Sequence, residues 1–221
     1  MVFPPRFVAV CFVIAGSLFA TGAHAGPNLL TNGSFENTTN FVNQGNDTMD
    51  LPVGSTLMPG WTVAGSHYLS WIGPTNPFGV TASDGSYFLD LTGYIFGAPF
   101  SGVSQTIATS PGSTYQLSFD LGSSSSWGLP SAIQASAASA SGLFTSTATG
   151  SNNWETETLD FTASGATTTI NLIGAVGQND IGLDNVKVEL MSGPPTSVPE
   201  PASLALLGLG LAAIGLVRRK A

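Results

Sequence analysis

The amino-acid sequence predicts an all-β fold, a single β-sandwich or jelly roll, and three observations carry that prediction. The middle of the chain consists of short runs in which apolar and polar residues alternate, the period of a half-buried strand. The runs are separated by SDG, SPG, SG and GQND, all of them turn chemistry. No convincing helical period interrupts them. Strands at such spacing imply two packed antiparallel sheets.

The elements follow in chain order. In SYFLDL, Tyr87, Leu89 and Leu91 take one face and Phe88 and Asp90 the other. VSQTI places Val103, Gln105 and Ile107 on one side. TYQLSFDL sets Tyr115, Leu117, Phe119 and Leu121 against Thr114, Gln116, Ser118 and Asp120. The stretch 122–153, rich in Ser, Gly and Ala, breaks the rhythm. Within it SAIQASA reads as a strand with Ile133, Ala135 and Ala137 on one face, flanked by Ser/Gly-rich loops. Beyond it, TETLDFTA aligns Leu159, Phe161 and Ala163, TTINLIG aligns Ile170 and Leu172, and NVKVEL aligns Val186, Val188 and Leu190.

Both ends differ from this body. Residues 1–25 read as a secretory signal peptide: Arg6, an apolar run over 7–20, then the small-x-small triplet Ala23-His24-Ala25. The β body is placed at 26–191 and a Pro-rich linker at 192–198. Residues 202–217 form an uncharged apolar run. As a helix it would span roughly 24 Å at about 1.5 Å per residue, a little short of a hydrocarbon core of about 30 Å. Arg218, Arg219 and Lys220 follow at once, so the positive-inside rule leaves that end cytoplasmic. A helix apolar on all sides needs a large surrounding core, and the linker holds this one away from the body. A membrane anchor and a removable sorting label both satisfy the same physics.

Removing the two ends exposes the charge of the body. Four of the five basic residues lie in them, which leaves Lys187 against twelve acidic residues, a net −11. Such a body repels nucleic acid and anionic membrane surfaces and suits calcium, neutral polymers or salty surroundings. The single cysteine, Cys11, lies in the leader, so the body has neither a disulfide nor thiol chemistry. His67 is the body's one histidine, which excludes any site that needs two. There is no G-x-S-x-G elbow, no phosphate-binding glycine loop and no zinc spacing. Glu155 and Glu157 are two apart on a strand and share a face. They are the one carboxylate pair that could serve a weak glycoside hydrolase, although such a pair is more often a solvated face than a site.

Pro199, Glu200 and Pro201, the apolar run and the basic end together resemble the PEP-CTERM protein-sorting signal of Gram-negative bacteria. The resemblance covers 198–221, with 199–221 as the signal itself. It implies passage through the Sec translocon, transient residence in the inner membrane, and recognition by the membrane protease exosortase. The body would then be released or displayed at the cell surface, a setting of extracellular matrix and biofilm. Retention of the tail would instead leave a permanently anchored domain.

The body runs from NLLTNGSFEN through LMPGWTVAGS and SDGSYFLDLTG to IGLDNVKVEL. It resembles the choice-of-anchor C family of bacterial surface proteins and a plant cell-wall domain of unknown function. More remotely it is similar to jelly-roll carbohydrate-binding modules. NGSFE and LDNV are the sharpest parts of the match. The resemblance implies a galactose-binding-like sandwich, in which a structural calcium commonly joins the first and last strands. Gly33, in a tight turn with available carbonyls, Glu36, Asp184, at the point where the last apolar run changes its facing register, and Asp90 are the oxygen donors expected for it. Each could equally be a solvated acid or a turn cap. Extracellular polysaccharide is the expected partner. Tyr68, Trp71, Tyr94 and Trp127 are the aromatic faces expected for sugar stacking, whereas Trp61 reads as core. The expectation is therefore an exported, non-catalytic surface protein with possible carbohydrate binding. The alternative is an adhesin-like structural body without a glycan site.

Overall fold

The alternation read along the chain becomes two antiparallel sheets facing each other across one core. The computed structural model describes residues 26–93, 97–126, 128–146, 148–150 and 152–194. Eleven strands are formed among them: β1 (Thr48–Leu51), β2 (Thr62–Gly65), β3 (Leu69–Ile72), β4 (Phe88–Asp90), β5 (Ser101–Ala108), β6 (Thr114–Ser123), β7 (Ser131–Ala137), β8 (Ala140–Ser146), β9 (Asn153–Thr162), β10 (Thr167–Val176) and β11 (Gly182–Ser192). Six lie in one sheet in the order β1-β3-β4-β11-β6-β9, and five in the other in the order β2-β5-β10-β7-β8. Every pairing is antiparallel. The all-β sandwich is thus the fold.

The faces are those the alternation requires. Leu117, Phe119 and Leu121 of β6, Leu89 of β4, Trp71 of β3 and Leu183, Val186 and Val188 of β11 point inward. They meet Val103 and Ile107 of β5, Ile170 and Leu172 of β10, and Ile133 and Ala135 of β7. Each large apolar side chain removed from water contributes about 1.5–3 kcal/mol. Gln105 also points inward and is buried, yet costs little. Its amide accepts from Thr31 N (2.7 Å) and donates to Thr31 O (2.9 Å), so both of its polar ends are paired. Asn28 does similar work on the opposite side of the N-terminal segment: its Oδ1 accepts from Val188 N and Leu30 N, and its Nδ2 donates to Val186 O.

Two sequence expectations are corrected. Residues 140–146, read as a loop flank, form β8, which pairs with β7 from Ala137↔Ala140 to Ser131↔Ser146. Its inward positions include the small Ala140 and Gly142, with Phe144 as the large residue on that face, so the apolar alternation is faint. Leu190, expected on the inward face with Val186 and Val188, is 41% exposed near the end of β11, where the register begins to shift between Leu190 and Ser192.

The outward face of the six-stranded sheet positions the site. Ile72, Phe88, Asp90, Gly182 and Gly122 alternate with the core residues Trp71, Leu89, Leu183 and Leu121. Trp154 of β9 lies opposite Gly122 and its ring rests on the Gly122–Gly182 pair. It meets Phe88 edge-on at 5.7 Å. The segment between β3 and β4, residues 73–87, passes over this outward face and makes a second apolar cluster of Ile72, Val80 and Phe88, with Phe78 and Trp154 against it.

Candidate functional site

The segment 73–87 is fastened along its whole length. Asp47 Oδ2 accepts from Thr75 N and Thr75 Oγ1. Asn76 Nδ2 donates to Gly73 O and Val80 O and thereby closes the bend. Trp154 Nε1 donates to Thr81 O, and Asn152 exchanges two bonds with Thr81. Asp184 Oδ2 accepts from Ser83 N (2.8 Å), Ser83 Oγ (3.1 Å) and Asp84 N (2.9 Å). Ser34 Oγ donates to Asp84, and Glu36 Oε1 accepts from both Ser86 N and Tyr87 N at 2.7 Å.

The NGSFE and LDNV motifs therefore grip one loop from two sides. Gly33 accepts Val186 N on its carbonyl at 2.9 Å. A Cβ on Gly33 would lie 2.0 Å from Val186 O, so only glycine permits this approach. Asp184 sits where the β11–β6 register shifts, between Asp184 and Lys187. There Asn185 has a φ of 50°. This bulge lets Leu183 and Val186, three residues apart, both face inward. Burial pushes the Asp184 carboxyl up to about 7, against the pull of the N–H donors aimed at it.

Beneath the fastened loop is a half-open cavity of about 230 Å³. Ile72, Phe78, Val80 and Phe88 form its apolar wall, and Asp90, Asn179 and Asp180 its polar end. Asp90 is 2% exposed, and its Oδ1 accepts from Thr92 N, Thr92 Oγ1 and Ile181 N. Asp180 is 5% exposed, and its Oδ2 is buried without a hydrogen-bond partner. Burial, and then the charge of Asp90, push the Asp180 carboxyl up to about 8.

The expected site residues separate into groups. Gly33, Glu36 and Asp184 come together around residues 83–87, whereas Asp90 lines the cavity. As a calcium sphere the first group fits poorly. A cation needs oxygens turned towards it, and here N–H and O–H donors occupy Glu36 Oε1 and Asp184 Oδ2 while Val186 N occupies the Gly33 carbonyl. Among the described residues no three His, Cys, Asp or Glu side chains are grouped to hold a metal ion. Of the aromatic faces, Trp71 is wholly buried. It packs edge-on against Phe41 at 5.2 Å and so offers no face to a sugar, because its strand position is an inward one. Tyr68 is half-buried with its ring against His67 at 4.1 Å. Trp61 is core, its Nε1 donating to Asn32 O. Tyr94, Trp127, the leader and all of the sorting residues lie outside the described residues. Glu155 and Glu157 do share one face of edge strand β9. Burial and Glu155 raise the Glu157 carboxyl.

Sequence reasoning missed Phe78, Phe88, Asn179 and Asp180. GQND looked like any turn, and only the fold brings it beside β4.

The family model described as protein of unknown function (DUF642) matches residues 28–186. The chain belongs to the DUF642 family. The PEP-CTERM protein-sorting motif matches residues 197–220, so this DUF642 protein carries a signal for export and surface sorting. Halomucin of Haloquadratum walsbyi is 30% identical over 212 residues, covering 90% of this chain. The chain spans about 2% of the length of that curated relative. Among solved structures, a family 61 carbohydrate-binding module in complex with β-1,4-galactotriose is similar with a TM-score of 0.46 and 18% identity, over 73% of this chain and 97% of that one. The CBM22-1 xylan-binding domain of Paenibacillus barcinonensis Xyn10C gives 0.43 and 14%, over 66% and 94%. A family 35 carbohydrate-binding module from Clostridium thermocellum gives 0.42 and 12%, over 64% and 96%.

Proposed function

We propose that this DUF642 protein is a non-catalytic carbohydrate-binding protein of the extracellular matrix, delivered to the cell surface by exosortase processing of its PEP-CTERM tail. The observation that carries the reading is the cavity on the outward face of the six-stranded sheet. It has an apolar wall with two phenylalanines and a polar end with two carboxylates and an amide. A pyranose ring is amphipathic in the same sense: C–H groups cover its faces and hydroxyls its rim. Aromatic and aliphatic walls bury the first, and carboxylate and amide oxygens bind the second. At about 230 Å³ the cavity is smaller than the roughly 300–1,000 Å³ of drug-sized sites, which suits one sugar ring better than a stretch of polymer. The loop above it is held by side chains from several segments, so little order has to be gained on binding.

The test is titration of the full chain with galactan, xylan and glucosamine-based oligosaccharides, followed by calorimetry, beside Phe78→Ala. Binding of at least one glycan, weakened about tenfold or more by the substitution, is the expected result. Silence towards every glycan with the fold intact would remove the carbohydrate reading and leave a structural surface protein.

A further inference from the structure

We propose that the cavity takes an amino sugar, a hexosamine whose free ammonium group sits between Asp180 and Asp90 while its ring lies on the Phe78–Phe88 wall. This rests on the carbohydrate reading and names its ligand class. Asp180 is 5% exposed and its Oδ2 has no hydrogen-bond partner. A buried acceptor in that condition costs about 1–3 kcal/mol, and a site that retains one is suited to a donor from outside. Beside it stands Asp90, equally buried, whose Oδ1 accepts from Thr92 N, Thr92 Oγ1 and Ile181 N and whose Oδ2 accepts from Thr92 Oγ1.

Among the described residues there is no arginine and one lysine, Lys187. It lies five residues along β11 from Gly182, roughly 16 Å at about 3.3 Å per residue. Burial first, and then the charge of Asp90, raise the proton affinity of Asp180, and an ammonium donor would take the place of that proton.

The chemistry of the remaining walls selects the kind of cation. A calcium ion takes six to eight oxygens, whereas this cavity brings two carboxylates and one amide against four apolar side chains. Phenylalanine rings instead attract an organic ammonium and the C–H face attached to it. A lysine side chain from a partner protein would present the same ammonium. Its thin methylene stem, however, leaves most of about 230 Å³ unfilled, whereas an amino sugar joins a C–H ring face for the wall to an ammonium for the carboxyls. N-acetylation of the sugar would remove the charge and insert an acetyl group where the carboxylates stand. The ligand is therefore the de-N-acetylated form, met as a chain end or an exposed unit of a polysaccharide.

The decisive experiment compares a glucosamine tetramer with its N-acetylated counterpart, galactotriose and n-butylamine, each titrated into the full chain at 150 mM salt and read by calorimetry and by NMR shifts. The glucosamine tetramer is expected to bind at least tenfold more tightly than the N-acetylated one. Asp180→Asn should abolish that preference, and Phe78→Leu should weaken the tetramer more than it weakens butylamine. Equal binding of the two tetramers overturns the inference, as does a preference that survives Asp180→Asn and so belongs to the acidic surface at large. If neutral oligosaccharides bind and lose affinity in Phe78→Leu without any amine preference, the carbohydrate reading stands and the amino-sugar assignment falls. If butylamine alone binds, both fall. The wild-type comparison decides even where a variant does not fold.

Discussion

Asp184→Asn is the substitution that best tests how the loop over the cavity is held. The side chain is fully buried. Its Oδ2 accepts from Ser83 N, Ser83 Oγ and Asp84 N, and its Oδ1 from Asn185 N at 2.7 Å. An amide has one oxygen. If that oxygen replaces Oδ1, the NH₂ group faces two backbone N–H groups, and the reverse placement sets it against Asn185 N. Ser83 Oγ can rotate, but the backbone donors cannot. The reverse placement is the cheaper one, because it keeps the acceptor for Ser83 N and Asp84 N and leaves only Asn185 N facing the NH₂ group, at a cost of about 1–3 kcal/mol. The expected loss is therefore about 2 kcal/mol. For a domain of 150–250 residues each kcal/mol moves Tm by roughly 2–4 °C, so the melting temperature should fall by roughly 4–8 °C. The measurement is a thermal melt by circular dichroism with a matching urea titration at pH 8, above the value of about 7 to which burial pushes Asp184. Asp84→Asn is the control, since its carboxylate meets Ser34 Oγ in an exposed pair. A loss below about 1 kcal/mol, or an equal loss in the control, would refute the clamp.

Two further outcomes follow from the same groups. Asp180 and Asp184 both hold protons above the ordinary carboxylate range, to about 8 and about 7. A carboxyl raised in the folded state stabilises fully below its unfolded value and loses that contribution as pH rises through the folded one. Tm should therefore decline between pH 5 and pH 9, and Asp180→Asn should flatten the decline; a melting temperature that rises over that interval contradicts the burial of these acids. Chelation addresses calcium directly: EGTA is expected to shift Tm by less than about 1 °C, because N–H donors already satisfy Glu36 and Asp184. A fall of several degrees, restored by added calcium, would reinstate a structural ion.

Much of the sandwich was legible because a period of two survives wherever a strand buries one face of large side chains. β6 could be read residue by residue from Tyr115 to Leu121, and all four apolar positions lie in the core. The break at Asp184 was also legible. Leu183 and Val186 are three apart, which no regular strand can place on one face, and the structure puts a bulge between them. β8 was hidden because the residues facing inward from it are partly small. Trp71 misled for a different reason: WIG precedes the turn GPTNPFG, and proximity to a loop says nothing about which side of the sheet a ring occupies. The cavity was the least legible feature. Its residues come from β3, the segment after it, β4 and the β10–β11 turn, and no local spacing links Phe78 to Asp180.

The separation between clamp and cavity bears on what family membership can mean here. NGSFE and LDNV, both within the residues that match the DUF642 family model, are occupied with holding residues 83–87, through Gly33, Glu36 and Asp184. They build the roof under which a ligand would bind without supplying the groups that would touch it. Those groups, Phe78, Asn179 and Asp180, sit in connecting segments, where side chains can change without altering strand register. The residues that fasten the loop are thus physically distinct from the residues that would choose the sugar. Replacing Asp180 should change selectivity with the sandwich intact, whereas replacing Asp184 should loosen the sandwich before it changes any preference.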